Sequence, residues 1–207
     1  LIAWSFPAAK LLATPLQARI VCTTDDPAVV RLVSDHHPDD ISVHHRPAEL
    51  ASDTAGMAGV VLDACNAFGA TRYVLLQPTS PLRLRADLLS LAAATGKQQT
   101  VVSCTRPVEH PEDIITLDGA VGRPSISAPA TKRRQDRAAE YRFVDGSFYA
   151  GDVAYLQRSG SFLPDDTHYV TLGNPAADID TPFDWAMAEA QHDWLTAGGQ
   201  DFVRPDS

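Results

Sequence analysis

Short apolar runs recur along this chain with helical patterns between them, and that alternation restricts the fold more than any other feature. Residues 19–24 (RIVCTT) read as a strand. Asp25-Asp26-Pro27 then reads as a helix start with the proline in its first turn. Residues 41–43 make a weaker strand. Ser52-Asp53-Thr54 offers caps for the next helix, whose apolar positions include Val60, Val61, Ala64 and Phe68. Residues 73–76 (YVLL) are apolar without alternation, as in a central parallel strand covered on both faces. A helix over 87–94 and a strand over 100–104 repeat the unit. Strands over 147–150 and 168–172, a short helix over 153–157 and a closing amphipathic helix over 182–195 follow. Residues 1–12 read as a helix that Pro7 would kink or shorten, and the tail after Gly198 as frayed. Units of this length predict a three-layer, Rossmann-like α/β fold with a mainly parallel sheet.

The pattern breaks at about residues 118–141, which hold Gly, Pro and Ser and then the basic run Lys132-Arg133-Arg134-Gln135-Asp136-Arg137. This stretch reads as a flap, or as an arm reaching the second subunit of a homodimer. The 207 residues suit a single domain spanning 1–207. A formal charge of -9 argues against a nucleic-acid partner, although an anionic small substrate fits if cationic charge is local. No apolar run approaches the length of a membrane span, and nothing resembles a secretory leader. Cys22, Cys65 and Cys104 lie in apolar segments without a CxxC pair, as buried reduced thiols of a cytoplasmic protein would. His36-His37 and His44-His45 flank an irregular acidic stretch and read as solvated residues. The chain opens at Leu1 inside an apolar stretch, so native residues are expected upstream of it.

Four polar segments fall where an α/β sheet exposes the ends of its strands, the usual place for a ligand. They are 46–54 (RPAELASDT), 76–83 (LQPTSPLR), 133–149 (RRQD…YR…DGSFY) and 178–184 (DIDTPFD). Asp178 and Asp180 flank Ile179, so on an extended backbone their carboxylates point the same way and suit one hard cation. Helix capping ahead of Thr181-Pro182 is the competing role for Asp180. An arginine such as Arg134 or the more isolated Arg142 suits a carboxylate, because its planar fork donates two hydrogen bonds.

In this order, the four segments resemble the acylneuraminate cytidylyltransferase family, with Thr23-Thr24-Asp25-Asp26 and Glu109-His110-Pro111-Glu112 also similar. The resemblance runs from Leu1-Ile2-Ala3-Trp4-Ser5 to the closing helix. It implies transfer of CMP from CTP to an acidic keto sugar, a sialic acid or related nonulosonic acid, with release of pyrophosphate and with Mg²⁺ on Asp178 and Asp180. Asp180 or a metal-bound hydroxide is the candidate base. The resemblance also implies that Arg134 holds the sugar carboxylate, that Arg46 and Ala55 lie near the cytidine base, and that Gln77, Arg142, Asp145 and Tyr149 line the sugar pocket. A CMP-Kdo-type synthetase and a non-catalytic assembly subunit are the rival readings. The family's triphosphate loop precedes the Leu1–Ser5 element and is expected upstream, so residues 1–207 alone are expected to show little turnover. Two departures concern specificity. Gly56-Met57 stands where the sialic-acid enzymes carry small hydroxyl residues. Arg142-Phe143-Val144-Asp145-Gly146 is one residue longer than their Arg-Pro-Asn-Gly and carries an acid in place of an amide.

Overall fold

A computed structural model describes residues 1–52, 54–118, 121–125, 140–174 and 177–205. The elements begin α1 (Ile2–Leu16), β1 (Ile20–Thr24), α2 (Pro27–His36), β2 (Ile41–His45), α3 (Met57–Phe68), β3 (Arg72–Leu75) and α4 (Arg85–Thr95). They continue β4 (Thr100–Thr105), β5 (Ile115–Asp118), β6 (Val121–Pro124), β7 (Phe143–Asp152), α5 (Val153–Ser159), β8 (His168–Thr171) and α6 (Pro182–Ala197). The expected three-layer α/β architecture is the one observed.

The main sheet has the order β3-β7-β4-β8, and β1 pairs in parallel with β2 beside it. β4 and β8 are parallel, while β7 runs antiparallel to both β3 and β4. β3, β4 and β8 therefore point one way and β7 alone is reversed. This reversed strand is the one feature that the strand–helix rhythm does not forecast. It brings the start of β7 to the carboxyl ends of its neighbours.

Side chains alternate across the sheet as a strand requires. Val74, Leu76, Val101, Phe148 and Ala150 meet Ala8, Leu12, Leu88, Leu91 and Ala92 of α1 and α4 on one face. Tyr73, Leu75 and Tyr149 meet Val61, Cys65, Val153 and Leu156 of α3 and α5 on the other. The unbroken apolar run at 73–76 is thus covered on both sides, but β3 pairs only with the antiparallel β7 at the end of the four-stranded sheet and is not the central parallel strand expected. Phe6, Cys22, Val33 and Ile41 close a smaller core under α2.

Four local expectations are corrected. Pro7 and Pro15 both sit inside α1, which runs on to Leu16, because the face of Phe6, Ala8 and Leu12 is buried and offsets the lost hydrogen bonds. Ser52 and Thr54 do not cap α3. Its N-cap is Gly56 with no side-chain bond, and Ser52 turns back onto the Glu49 carbonyl. The irregular excursion begins earlier than residue 118, with the β5–β6 hairpin from Ile115. The tail is pinned: Leu84 bridges Phe202, Val203 N–H donates to the Arg83 carbonyl, and both apolar residues are buried.

The three cysteines are buried and unpaired with one another. No helix among the described residues is long and apolar enough to cross a membrane.

Candidate active site

The carboxyl ends of β3, β4 and β8 share one edge of the sheet. After β3 the chain turns at Gln77-Pro78-Thr79-Ser80, closed by the Ser80 N–H on the Gln77 carbonyl at 3.2 Å. The Ile179 N–H donates to the Thr79 carbonyl at 2.9 Å, which stitches the DID segment alongside that turn. Ile179 packs inward against the α6 cluster, so Asp178 and Asp180 fall together on the exposed side.

Capping belongs to Thr181. Its Oγ1 accepts from the Asp184 N–H, while Asp184 Oδ2 accepts from the Thr181 N–H at 2.8 Å and from the Asp180 N–H at 3.2 Å. The Asp180 carboxylate is left without a hydrogen bond among the described residues. Asp178 has its pKa raised by burial and by the Asp180, Asp184 and Asp145 carboxylates, against a hydrogen bond from Thr79 that lowers it. The site holds surplus negative charge.

Asp145, in β7, is buried. Its Oδ1 accepts from Ser103 Oγ at 2.6 Å, from Ser147 Oγ at 2.6 Å and from the Ser147 N–H at 2.9 Å. Its Oδ2 is buried with no partner among the described residues. The nearby cation is Arg83, itself buried, whose pKa is pulled down to about 10 by desolvation against the attraction of Asp145. Arg83 Nη2 donates to the Gln77 carbonyl at 2.7 Å and to the Ser147 carbonyl at 3.3 Å, tying the turn to β7. Tyr149 is half-buried beside Phe162, and its pKa is raised by burial and then by Asp145 and Asp178. Asp145 therefore reaches Arg83, Tyr149 and Asp178 electrostatically, which places all four in one neighbourhood.

Gly146 adopts φ +78, and a Cβ there would stand 3.1 Å from Gln77 Oε1. Both the left-handed backbone and the close approach require glycine. Gly146→Ala is expected to cost about 1–2 kcal/mol in denaturant unfolding, from the left-handed strain alone, and to shift Gln77.

Arg46 follows β2, and its Nη2 donates to the Thr23 carbonyl at 2.9 Å. Its Nε and Thr23 Oγ1 are buried without partners among the described residues. Both residues, with Gln77 and Thr79, line a cavity of about 350 Å³. Ala55 is half-buried in the turn before α3, its N–H on the Ser52 carbonyl.

The structure thus gathers Gln77, Asp145, Tyr149, Asp178 and Asp180, with Arg46 at the cavity beside Gln77. It does not gather Arg142, which is exposed and gives its donors to Thr171 Oγ1, the Tyr141 carbonyl and Glu140. Arg134 lies outside the described residues, as does Asp53. His44 Nε2 bonds Asp63 at 2.7 Å and its ring packs on Phe68. Among the described residues no group of three or more His, Cys, Asp or Glu could hold a metal ion. Sequence reasoning passed over Arg83 and Ser103. For Arg83 a signal was present, since a lone cation between Leu82 and Leu84 in an apolar stretch points to a buried counter-charge.

No known protein-family profile matches the chain. Solved structures similar to it include a CMP:2-keto-3-deoxy-manno-octonic acid synthetase complexed with CTP. It has a TM-score of 0.57 and 15% identity, over 91% of this chain and 88% of that one. A 4-diphosphocytidyl-2C-methyl-D-erythritol synthase from Anaerococcus prevotii has a TM-score of 0.57 and 12% identity, over 90% and 86% of the two chains. A putative glucose-1-phosphate thymidylyltransferase from Bacillus anthracis in complex with a sucrose has 0.54 and 13%, over 89% and 80%. The chain has the nucleotidyltransferase fold. At these identities the likeness is one of fold. Within the nucleotidyltransferase fold of this chain, the two aspartates stand at the carboxyl edge of the sheet, where open α/β sheets bind ligands.

Proposed function

We propose that this chain transfers a cytidylyl group from CTP to an acidic keto sugar, a sialic acid or related nonulosonic acid, releasing pyrophosphate. The observation that carries the reading is the exposed Asp178–Asp180 pair, held beside the Gln77–Ser80 turn and released from capping by Thr181.

A hard divalent cation fits this pair. Burial and then the neighbouring Asp180 carboxylate raise the proton affinity of Asp178, and Mg²⁺ commonly takes only one or two protein carboxylates and completes its shell with substrate phosphates and water. Asp178 and Asp180 would hold it, and when bound it would neutralise charge developing on the phosphate oxygens. The chain's own residues do the remaining work. Asp180, free of hydrogen bonds among the described residues, would accept the proton of the attacking sugar hydroxyl. Gln77 and Tyr149 orient the sugar, Arg134 pairs with its carboxylate, and Arg46 and the turn at Ala55 face the base. Asp145, whose Oδ2 is buried, bears on the sugar only through the turn and β7 that it and Arg83 hold in place.

The chain would act as a homodimer. Ile115, Leu117 and Val121 of the β5–β6 hairpin are exposed, and a two-stranded ribbon with bare apolar side chains needs a partner surface. Sedimentation at micromolar concentration is expected to show a dimer, and a monomer would remove this part of the reading.

The activity test uses the chain with any native residues that precede Leu1. Pyrophosphate release is measured with each nucleoside triphosphate against a panel of sugar acids that includes N-acetylneuraminate, pseudaminic-type sugars and 2-keto-3-deoxy-manno-octonic acid. CTP is expected to exceed UTP, ATP and GTP by about 10²-fold or more. Equal rates with UTP would overturn the cytidylyl assignment.

A further inference from the structure

Helix α6 buries only Ala188 and Leu195, which pack against Leu82 and Phe202. About 130° round the helix from that line runs a second apolar stripe. It consists of Phe183, Met187, Ala190, Trp194 and Ala197, spaced alternately four and three residues apart as in the seam of a coiled coil. All five are exposed, Phe183 at 72%, Met187 at 55% and Trp194 at 61%. No charged residue falls within the stripe. Trp185 lies off it, with its Nε1 donating to Glu189 Oε1 at 2.9 Å. A helix that is apolar on two sides is suited to burial on two sides.

Charge narrows what can cover it. A helix that lies in a membrane surface carries lysine and arginine beside its apolar face. Helix α6 has neither and carries Asp184, Glu189 and Asp193, in a chain of formal charge -9, so anionic lipid would repel it. A second copy fits better, because the stripe is its own complement. Set antiparallel about a two-fold axis level with the 188–189 peptide, Phe183 of each copy meets Trp194 of the other. Met187 of each meets Ala190 of the other. An aromatic pair thus closes each end, and a large side chain stands over a small one at the centre. On one flank Asp184 meets Gln191 and on the other Asp193 meets Ala186, so no two carboxylates face each other directly. At about 150–250 Å² per aromatic side chain, these exposures offer roughly 400–500 Å² per copy. Two copies approach the roughly 1,000 Å² that a specific interface needs, which suits a weak and reversible contact.

We infer that α6 is a homotypic docking surface, on whose Phe183–Trp194 stripe the α6 of a second copy of this chain packs antiparallel. This surface is separate from the β5–β6 hairpin, so it would join hairpin dimers in pairs. It is independent of the cytidylyl reading.

Sedimentation equilibrium tests it on the chain with any native residues that precede Leu1. The mass is expected to double between about 1 and 200 µM, as suits an interface near the lower size limit. Trp194→Asp puts a charge into the stripe and is expected to abolish the doubling. Circular dichroism and urea unfolding should stay unchanged, because that side chain is largely exposed. Trp194→Phe keeps a ring and is expected to retain the doubling within about tenfold in concentration. Each copy adds three α6 carboxylates, so raising salt from about 0.05 to 0.5 M is expected to strengthen association severalfold. In a mixture of Phe183→Cys and Trp194→Cys, oxidation is expected to cross-link one variant to the other. Neither should cross-link to itself, because like positions lie about 16 Å apart along the pair. The three native cysteines are buried and do not compete.

The inference is overturned if the mass stays constant, or if Trp194→Asp doubles as the unaltered chain does. Self-cross-linking of either variant in place of the mixed product also overturns it. Weakening by salt would do the same, since charge attraction rather than the apolar stripe would then hold the copies. Binding to phosphatidylcholine vesicles without any rise in mass would assign the face to lipid instead.

Discussion

Replacing Arg83 with methionine is expected to lower the unfolding free energy by about 3–5 kcal/mol, because two buried carbonyls lose their donor and a buried carboxylate loses its nearby cation. The side chain is 5% exposed, with Asp145 as its neighbouring countercharge. Its loss would strand the Asp145 carboxylate, whose Oδ2 already has no partner, and would free the Gln77 and Ser147 carbonyls. Arg83→Lys is expected to recover only part, because an ammonium cannot span both carbonyls as the planar fork does. The double variant Arg83→Met with Asp145→Asn is expected to be more stable than the sum of the singles, because the unpaired charge is gone. Urea unfolding of the four proteins measures this. Strict additivity would mean that the two groups do not sense each other, and the site would lose the electrostatic link between the turn and β7.

Asp180→Asn and Asp178→Asn are each expected to reduce Mg²⁺-dependent turnover by about 10²-fold or more, the usual scale for losing one charge-stabilising group, with unfolding free energy almost unchanged. Thr181→Ala is expected to do the reverse: about 1 kcal/mol of stability lost with its cap, and turnover changed far less. If Asp180→Asn instead costs stability and spares turnover, the aspartate is structural. The pH dependence has a definite sign. Because the folded-state pKa of Asp178 is raised above 3.8, its protonated form favours folding at low pH, and that contribution is lost as pH rises through the raised value. Mg²⁺ competes with the same proton, so stabilisation by Mg²⁺ should be full near neutrality and fade as pH falls through that range. Thermal unfolding with and without Mg²⁺ reads both effects, and Asp178→Asn should weaken the Mg²⁺ increment.

Much of the architecture was legible because it follows from local patterns. Residues 73–76 are apolar without alternation, and Val74 and Tyr73 are indeed covered from opposite faces. Asp26 accepts from the Ala28 N–H just ahead of a helix that begins at Pro27, as the dipeptide implies. The grouping of Gln77 with Asp178 and Asp180 was legible for another reason, since segments that end strands of one sheet collect at its edge. Helix ends were less legible. Ser52 and Thr54 have the chemistry of caps, but their oxygens bond within their own turn, and the helix starts at Met57.

Side-chain chemistry and spacing in the sequence determined the strand–helix rhythm, the pairing of Asp178 with Asp180 on one side of the chain, and the glycine at 146. Strand direction, charge burial and sheet closure belong to the tertiary structure. Nothing local marks β7 as reversed, because an antiparallel central strand buried on both faces carries the same apolar residues as a parallel one. Nothing local separates Asp145, held by Ser103 from forty-two positions earlier, from an exposed acid in a loop. Arg142 and Arg83 are alike in the sequence, yet one is spread over the surface and the other sealed against the Gln77 and Ser147 carbonyls. Only the packing of distant strands sets the dielectric around each, and that dielectric decides whether a charge is free to meet a ligand or is committed to the fold.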